Sequence, residues 1–339
     1  MPNMTLLSAS TPALSNVKPR GRAECVSREL TWSASSFPYC AKDPVHFERF
    51  MRDYFYFTIE GYKHPLGLVH RKVIDSVPWP EYWSIDHQSR RLHLKAPAGA
   101  EEGTKTELFL NETIRLAKLY TQQEELIVEG HAEEVYTATG EHVCNMDPAG
   151  WQIFGTTAFG VHLIAWSICP FLGKLYWLQR RSWTKTVHPG KLDMIAGGGI
   201  QVGEKARDAM VREASEEAGI PKTYSQKNLK ACGIVSYHLS WSFKNNPGSF
   251  PHVLYMFEME LPWYMRPRKG SDEVDGFVSM TKAEVLDALF KDDFKPILGI
   301  QWADHFCRDG TLTSDNEPRL VEITSRMHRN LELALPDEA

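Results

Sequence analysis

Nowhere in the 339 residues do two cysteines form a C-x-x-C pair, and the six present (Cys25, Cys40, Cys144, Cys169, Cys232, Cys307) are scattered. With no Cys/His cluster at ligand spacing, a zinc module is excluded. Separate thiols in a reducing compartment are expected, which points to the cytoplasm. Positive charge is also scarce. The 38 Lys and Arg face 43 Asp and Glu, a net charge of −5, so electrostatics gives no reason to expect nucleic acid or an anionic membrane as partner. No apolar run approaches the roughly 20 residues that a bilayer crossing needs. The best, Val161 to Leu172, is broken by Ser167 and Pro170 and reads as a buried strand. The first 23 residues lack acids but show no amphipathic period, so residues 1–35 are expected to form a flexible tail.

The apolar residues that are present suffice for two cores, and the length argues for two units. Residues 36–150 read as a small α+β domain: PVHFERFMRDYF is helical, YFTIEGY is strand-like, and Pro65 and Gly67 open a second apolar run. Leu108 to Gly130 reads as a helix, with Ile114, Leu116, Leu119 and Tyr120 on its apolar side. Residues 151–335 read as an α/β unit. Strands are expected at Val161–Ser167, Lys174–Gln179, Gly233–Tyr237 and His252–Leu261, with a long helix between the second and third and another over Lys282–Leu289. Strands flanking one strong helix imply a mixed sheet covered on both sides.

The chemistry is concentrated in GGIQVGEKARDAMVREASEEAGI, residues 198–220. Gly198, Glu204, Arg212, Glu213, Glu216, Glu217 and Gly219 fall at the spacing G-x5-E-x7-R-E-U-x-E-E-x-G-U, where U is aliphatic. A chance match in a chain this long is on the order of one in a million. This spacing is the Nudix box, and the chain resembles that superfamily. Ala214 stands at the first U position, a smaller residue than usual. The glycines Gly197, Gly198, Gly199 and Gly203 are expected to make a sharply bent loop. A helix from about Lys205 to Ala218, stopped by Gly219, follows it. At 100° per residue Glu213, Glu216 and Glu217 share one sector roughly 100° wide. Met210, Val211, Ala214 and Ala218 then face the core, and Ala206 and Ala209 leave room beside the acids for a diphosphate. Carboxylates on one helix face repel each other unless a hard cation sits among them, and oxygen-rich sites of this kind suit Mg²⁺ or Mn²⁺. The expected metal ligands are Glu213, Glu216 and Glu217. The family resemblance implies that Arg212 orients the glutamates and that Glu204 supports metal or loop.

Outside the box, Arg181, Ser182, Lys185, Pro189, Gly190, Lys191, Leu192 and Asp193 fit R-S-x-x-K-x-x-x-P-G-K-L-D-N, with Met194 in place of the Asn. This approach resembles the Nudix enzymes related to the N-terminal part of fungal thiamine pyrophosphokinase fusions. MFEMELP, SDEV, FKP and HFCRDGTLTSDNEP downstream, and TIEGYKHPLGLV upstream, are similar to the same group. The resemblance implies a Nudix α/β/α sandwich with a mixed sheet, preceded by a small α+β domain, in a stand-alone hydrolase. The implied reaction is cleavage of thiamine diphosphate, or its oxidised and oxy analogues, to the monophosphate and phosphate. A nucleotide such as ADP-ribose or a dinucleotide is the alternative small-molecule diphosphate. Arg181 and Lys185 are candidates for the terminal phosphate, Gly198 and Gly199 for close backbone approach, and Glu273 for a further metal ligand or base. His188, before Pro-Gly, reads as a turn residue.

Overall fold

The computed structural model describes residues 36–95, 102–121, 132–137, 140–185, 187–243 and 246–331. The expected tail, the end of the helix expected to reach Gly130, and residues 332–335 lie outside these. The first part of the chain runs α1 (Pro44–Met51), β1 (Tyr54–Ile59), β2 (Gly67–His70), α2 (Arg71–Ser76), β3 (Trp83–Asp86), β4 (Arg91–Leu94), α3 (Glu102–Thr121), β5 (Glu133–Tyr136), β6 (His142–Met146) and α4 (Trp151–Phe154). Its four-stranded sheet has the order β2-β1-β4-β3, with β1 and β4 parallel, and β5 and β6 form a separate hairpin. Phe57, Phe109 and Phe154 meet in one aromatic core with Trp83 and Leu116. The apolar side of α3 is narrower than expected. Leu116 and Tyr120 are buried but Leu119 is 49% exposed, because only residues one turn apart reach the sheet.

The second part contains β7 (Ala158–Cys169), β8 (Gly173–Arg181), β9 (Leu192–Met194), β10 (Ala196–Gly199), α5 (Ala206–Ala218), α6 (Lys222–Asn228), β11 (Lys230–Phe243), β12 (Asn246–Glu260), β13 (Val274–Thr281), α7 (Lys282–Phe290), α8 (Leu298–Arg308) and α9 (Leu320–Met327). The seven-stranded sheet follows the path β11-β12-β7-β8-β13, with β10 on β7 and β9 on β8. Only β12 and β7 run parallel within it, so the sheet is mixed. Alternation along β7 sends Val161, Leu163 and Ala165 to one face, where they pack on Met210 and Ala214 of α5. Ile164 and the β12 residues Leu254 and Met256 join the opposite core with Val285 of α7 and Trp302 of α8. Helices therefore cover both faces, and the fold is an α/β/α sandwich.

One expectation is overturned at the glycine run. Gly197, Gly198 and Gly199 do not bend but lie extended in β10, with Gly198 opposite Val161 and Gly199 opposite Gly160. The turn comes later, at Gly203 with φ +74°. The run is glycine-rich because its flanks are crowded: a Cβ on Gly197, Gly198 or Gly199 would fall 2.2 Å from His162 Cδ2, Glu213 Oε1 or Glu133 Oε1, respectively.

Candidate active site

The site is built where β10 hands the chain to α5. The helix starts after Lys205 and ends at Gly219, whose φ of +62° is the left-handed stop the sequence predicts. Met210, Val211, Ala214 and Ala218 are buried, which fixes the rotation of the helix and turns Glu213 and Glu217 toward β10. Ala209 is fully buried in the same core. The wheel placed room for a diphosphate beside Ala206 and Ala209, but Ala209 is part of the core packing.

Glu217 is 8% exposed, and its Oε2 accepts from Gly197 N at 2.9 Å and Gln179 Nε2 at 3.3 Å. Burial, and then the Glu213 carboxylate, push its pKa up to about 8. Glu213 stands against the bare Cα of Gly198; burial raises its pKa, and Arg212 partly offsets this. Glu216 is the outermost of the three, with its side chain 53% exposed. Arg212 ties the set together. Its Nε and Nη2 donate to Glu204 Oε1 and Oε2 at 3.0 and 2.9 Å, Nη1 to Glu213 Oε1 at 2.7 Å and Glu216 Oε2 at 3.3 Å, and Nη2 also to the Gly199 carbonyl at 3.1 Å. One guanidinium thus joins box loop, strand and helix.

Arg181 is placed differently from expectation. Arg181 faces no open phosphate site: Nη1 donates to Asp193 Oδ2 at 2.9 Å, and Nε and Nη2 to the carbonyls of His188 and Val187. Arg181 therefore shapes the loop before β9. His188, with φ +51°, is a turn residue in that loop. Lys185 pairs with Glu273 Oε1 at 2.5 Å. Glu273 lies close enough to Glu213 and Glu217 to raise both of their pKa values.

Among the described residues no three His, Cys, Asp or Glu side chains converge closely enough to enclose a metal ion. The tight three-glutamate cage is therefore not seen, because Glu216 points outward and Arg212 lies between it and Glu213. The donor set still fits a hard cation. Glu217 is buried and Glu213 partly buried; Glu213 raises the pKa of Glu217, Glu216 raises that of Glu213, and Glu273 adds to both. Mg²⁺ usually keeps several waters and takes only one or two carboxylates, so a closed cage is not required.

The sequence missed four neighbours of the site. Gln179 touches Glu217 from β8. His162 stands behind Gly197, fully buried, with its pKa lowered to about 4 by desolvation and with Nδ1 lacking a partner among the described residues. Lys295 pairs with Asp193 at 3.6 Å. Glu133 comes from β5, in the first part of the chain, and abuts Gly199. Only Lys295 had a signal, lying within the FKP block.

Residues 161–298 match the sequence model of the NUDIX domain. The chain is 32% identical over 187 residues to an uncharacterized protein of Saccharomyces cerevisiae, covering 53% of this chain and 55% of that one. It is 30% identical over 152 residues to Nudix hydrolase 20, chloroplastic, of Arabidopsis thaliana, covering 44% and 38%. It is 27% identical over 186 residues to Nudix hydrolase 24, chloroplastic, of the same plant, covering 54% and 48%. The chain thus spans about half or less of the length of these curated relatives. Domain match and clamped box fall on one stretch: residues 161–298, which contain Glu204, Arg212, Glu213, Glu216 and Glu217, are similar to the NUDIX domain.

Proposed function

We propose that this protein is a metal-dependent hydrolase of small diphosphates, and that its substrate is thiamine diphosphate or an oxidised or oxy analogue, released as monophosphate and phosphate. The observation that carries the reaction class is a pair of carboxylates, the partly buried Glu213 and the buried Glu217, held against the β10 glycines by Arg212 and the Gly197 amide. The substrate rests on the R-S-x-x-K-x-x-x-P-G-K-L-D approach to the box and the downstream blocks that resemble the thiamine diphosphate-cleaving group.

Glu213 and Glu217 would hold Mg²⁺ or Mn²⁺, with Glu216 at the rim. The ion would supply charge neutralisation on the phosphate oxygens and activation of water. The chain's own contribution is preorganisation. Arg212 fixes Glu213 before substrate arrives, so the carboxylate needs little rearrangement. Gly198 and Gly199 carry no Cβ, which lets the Glu213 and Glu133 carboxylates lie against the strand. Glu273 is the proposed base for the attacking water. Its side chain is 58% exposed, and the Lys185 ammonium holds it in place.

The test is product release from thiamine diphosphate, its oxidised and oxy analogues, and ADP-ribose, with Mg²⁺ supplied and then chelated. Thiamine monophosphate and phosphate appearing only with metal support the reading. AMP from ADP-ribose, with no turnover of the thiamine compounds, overturns the substrate.

A further inference from the structure

A cavity of about 590 Å³ opens beside the box, between the β5–β6 hairpin and the sheet. That volume lies within the range of small-molecule sites. Its walls include Glu133, Glu134 and Tyr136 from the first part of the chain, and Phe159, Glu204 and Tyr255 from the NUDIX part. No Lys, Arg or His lines it among the described residues. An acidic, aromatic chamber without a basic side chain is poorly suited to an anionic or purine-phosphate moiety. It suits a flat organic cation, which gains from both the carboxylates and the ring faces.

The carboxylates are not equivalent. Glu204 is paired by Arg212. Glu134 accepts from Tyr136 Oη at 2.5 Å and from Gly203 N at 3.3 Å. Glu133 is 8% exposed, and no hydrogen bond or ion pair from a described residue reaches its carboxylate. Burial, then Asp147 and Glu213, push its pKa well above the usual carboxylate range, and the Arg212 charge offsets only part of this. A buried acid left without a partner is costly, and its burial is explained if a ligand completes it. Tyr136 and Phe159 meet edge to face, with ring centroids 5.6 Å apart, and stiffen the wall.

We propose that this cavity binds the flat, positively charged part of the substrate, with Glu133 as the carboxylate that recognises the charge and the β5–β6 hairpin as the wall that makes the site selective. Its assignment to the substrate rests on the diphosphate hydrolase reading above; the cavity's preference for a planar cation does not. Gly199 against Glu133 and Gly198 against Glu213 put the two subsites on consecutive residues of β10. Alternation along the strand sends the two Cα faces in opposite directions, so charge recognition and phosphate chemistry flank one strand. The first part of the chain thereby acquires a role in specificity.

The test is calorimetric titration of the full chain in EDTA with unphosphorylated thiamine, its neutral thiazole alcohol, and adenosine. Thiamine should bind, and the two uncharged ligands should bind at least about tenfold more weakly. Glu133→Gln should weaken thiamine about tenfold, and Glu133→Asp should keep part of the affinity. In turnover, Glu133→Gln should raise KM with little change in kcat. Equal binding of neutral and charged rings, or no binding of thiamine, overturns the proposal whatever the activity. If Glu133→Gln does not fold, the comparison of ligands on the unaltered chain decides. Thiamine binding without hydrolysis of any diphosphate removes the enzymatic reading and leaves the cavity standing. Hydrolysis with a KM indifferent to Glu133 does the reverse.

Discussion

Arg212 grips Glu204 through two parallel hydrogen bonds, 3.0 and 2.9 Å long, while its remaining amine reaches Glu213 at 2.7 Å. The planar fork makes this possible, and an ammonium cannot reproduce it. Arg212→Lys should therefore lower kcat/KM about 100-fold, because the Glu213 carboxylate loses its fixed position. Folding stability should fall by only about 1–3 kcal/mol. Steady-state kinetics and denaturant unfolding on the same preparation check this. Unchanged kcat/KM would show the clamp to be irrelevant to the chemistry.

Gly198 and Gly203 offer a contrast between two reasons for glycine. Alanine at 198 would place a methyl group 2.2 Å from Glu213 Oε1, so the carboxylate must move. Gly203 has φ +74° and open space around its Cα, so alanine there meets only backbone strain. Gly198→Ala should cost about 100-fold in kcat/KM. Gly203→Ala should cost about 1–2 kcal/mol of stability with activity largely kept. Equal effects on activity would mean the strand glycines are not there for clearance.

Asp193 is 4% exposed and pairs with Arg181 at 2.9 Å and Lys295 at 3.6 Å. Desolvation raises its pKa, but Lys295, His162 and Arg181 outweigh that and the net shift is downward. A depressed carboxyl pKa stabilises the fold above the unfolded value, near 3.9, and that stability is lost as pH falls through the lower folded value. Asp193→Asn should destabilise by about 1–3 kcal/mol at neutral pH, because the partly buried Arg181 and Lys295 lose their shared carboxylate. It should also flatten the loss of stability below pH 4. Thermal unfolding across pH 2–7 reads both.

The strands and helices that carry sharp hydrophobic signals were legible in the sequence. β7, β8 and β12 stand where their apolar residues predict, each somewhat longer than read because strand pairing extends past the apolar stretch, and α7 runs one residue past its expected end. The box gave the length and rotation of α5 through Met210, Val211, Ala214 and Gly219. β10 was not legible. Three glycines signal a turn by local propensity, and only the contacts of Gly197, Gly198 and Gly199 with His162, Glu213 and Glu133 explain an extended run. The fate of Arg181 was hidden for a similar reason. A basic residue near a phosphate motif reads as a phosphate ligand until Asp193 is seen 2.9 Å away. Glu133 lies 66 residues before Gly199, and no periodicity links an acid in one part of the chain to a glycine in another.

Glu217 is the most strongly perturbed of the box acids, its pKa pushed up to about 8 by burial and by Glu213. The sign follows from proton binding. Between about pH 4.5 and 8 the folded, metal-free state holds a proton that the unfolded chain has released, so stability falls as pH rises through that window. Glu217→Gln removes the penalty while keeping an acceptor for the Gly197 amide. In EDTA at pH 8.5 the variant should be more stable than the natural chain, by on the order of a few kcal/mol. At pH 4.5 the two should be alike. Mg²⁺ or Mn²⁺ at pH 8.5 should raise the melting temperature of the natural chain and not that of the variant, since binding stabilises only the form that offers a site. The variant should lose at least about 100-fold in turnover. A variant that melts like the natural chain at both pH values and still responds to metal would place the cation elsewhere.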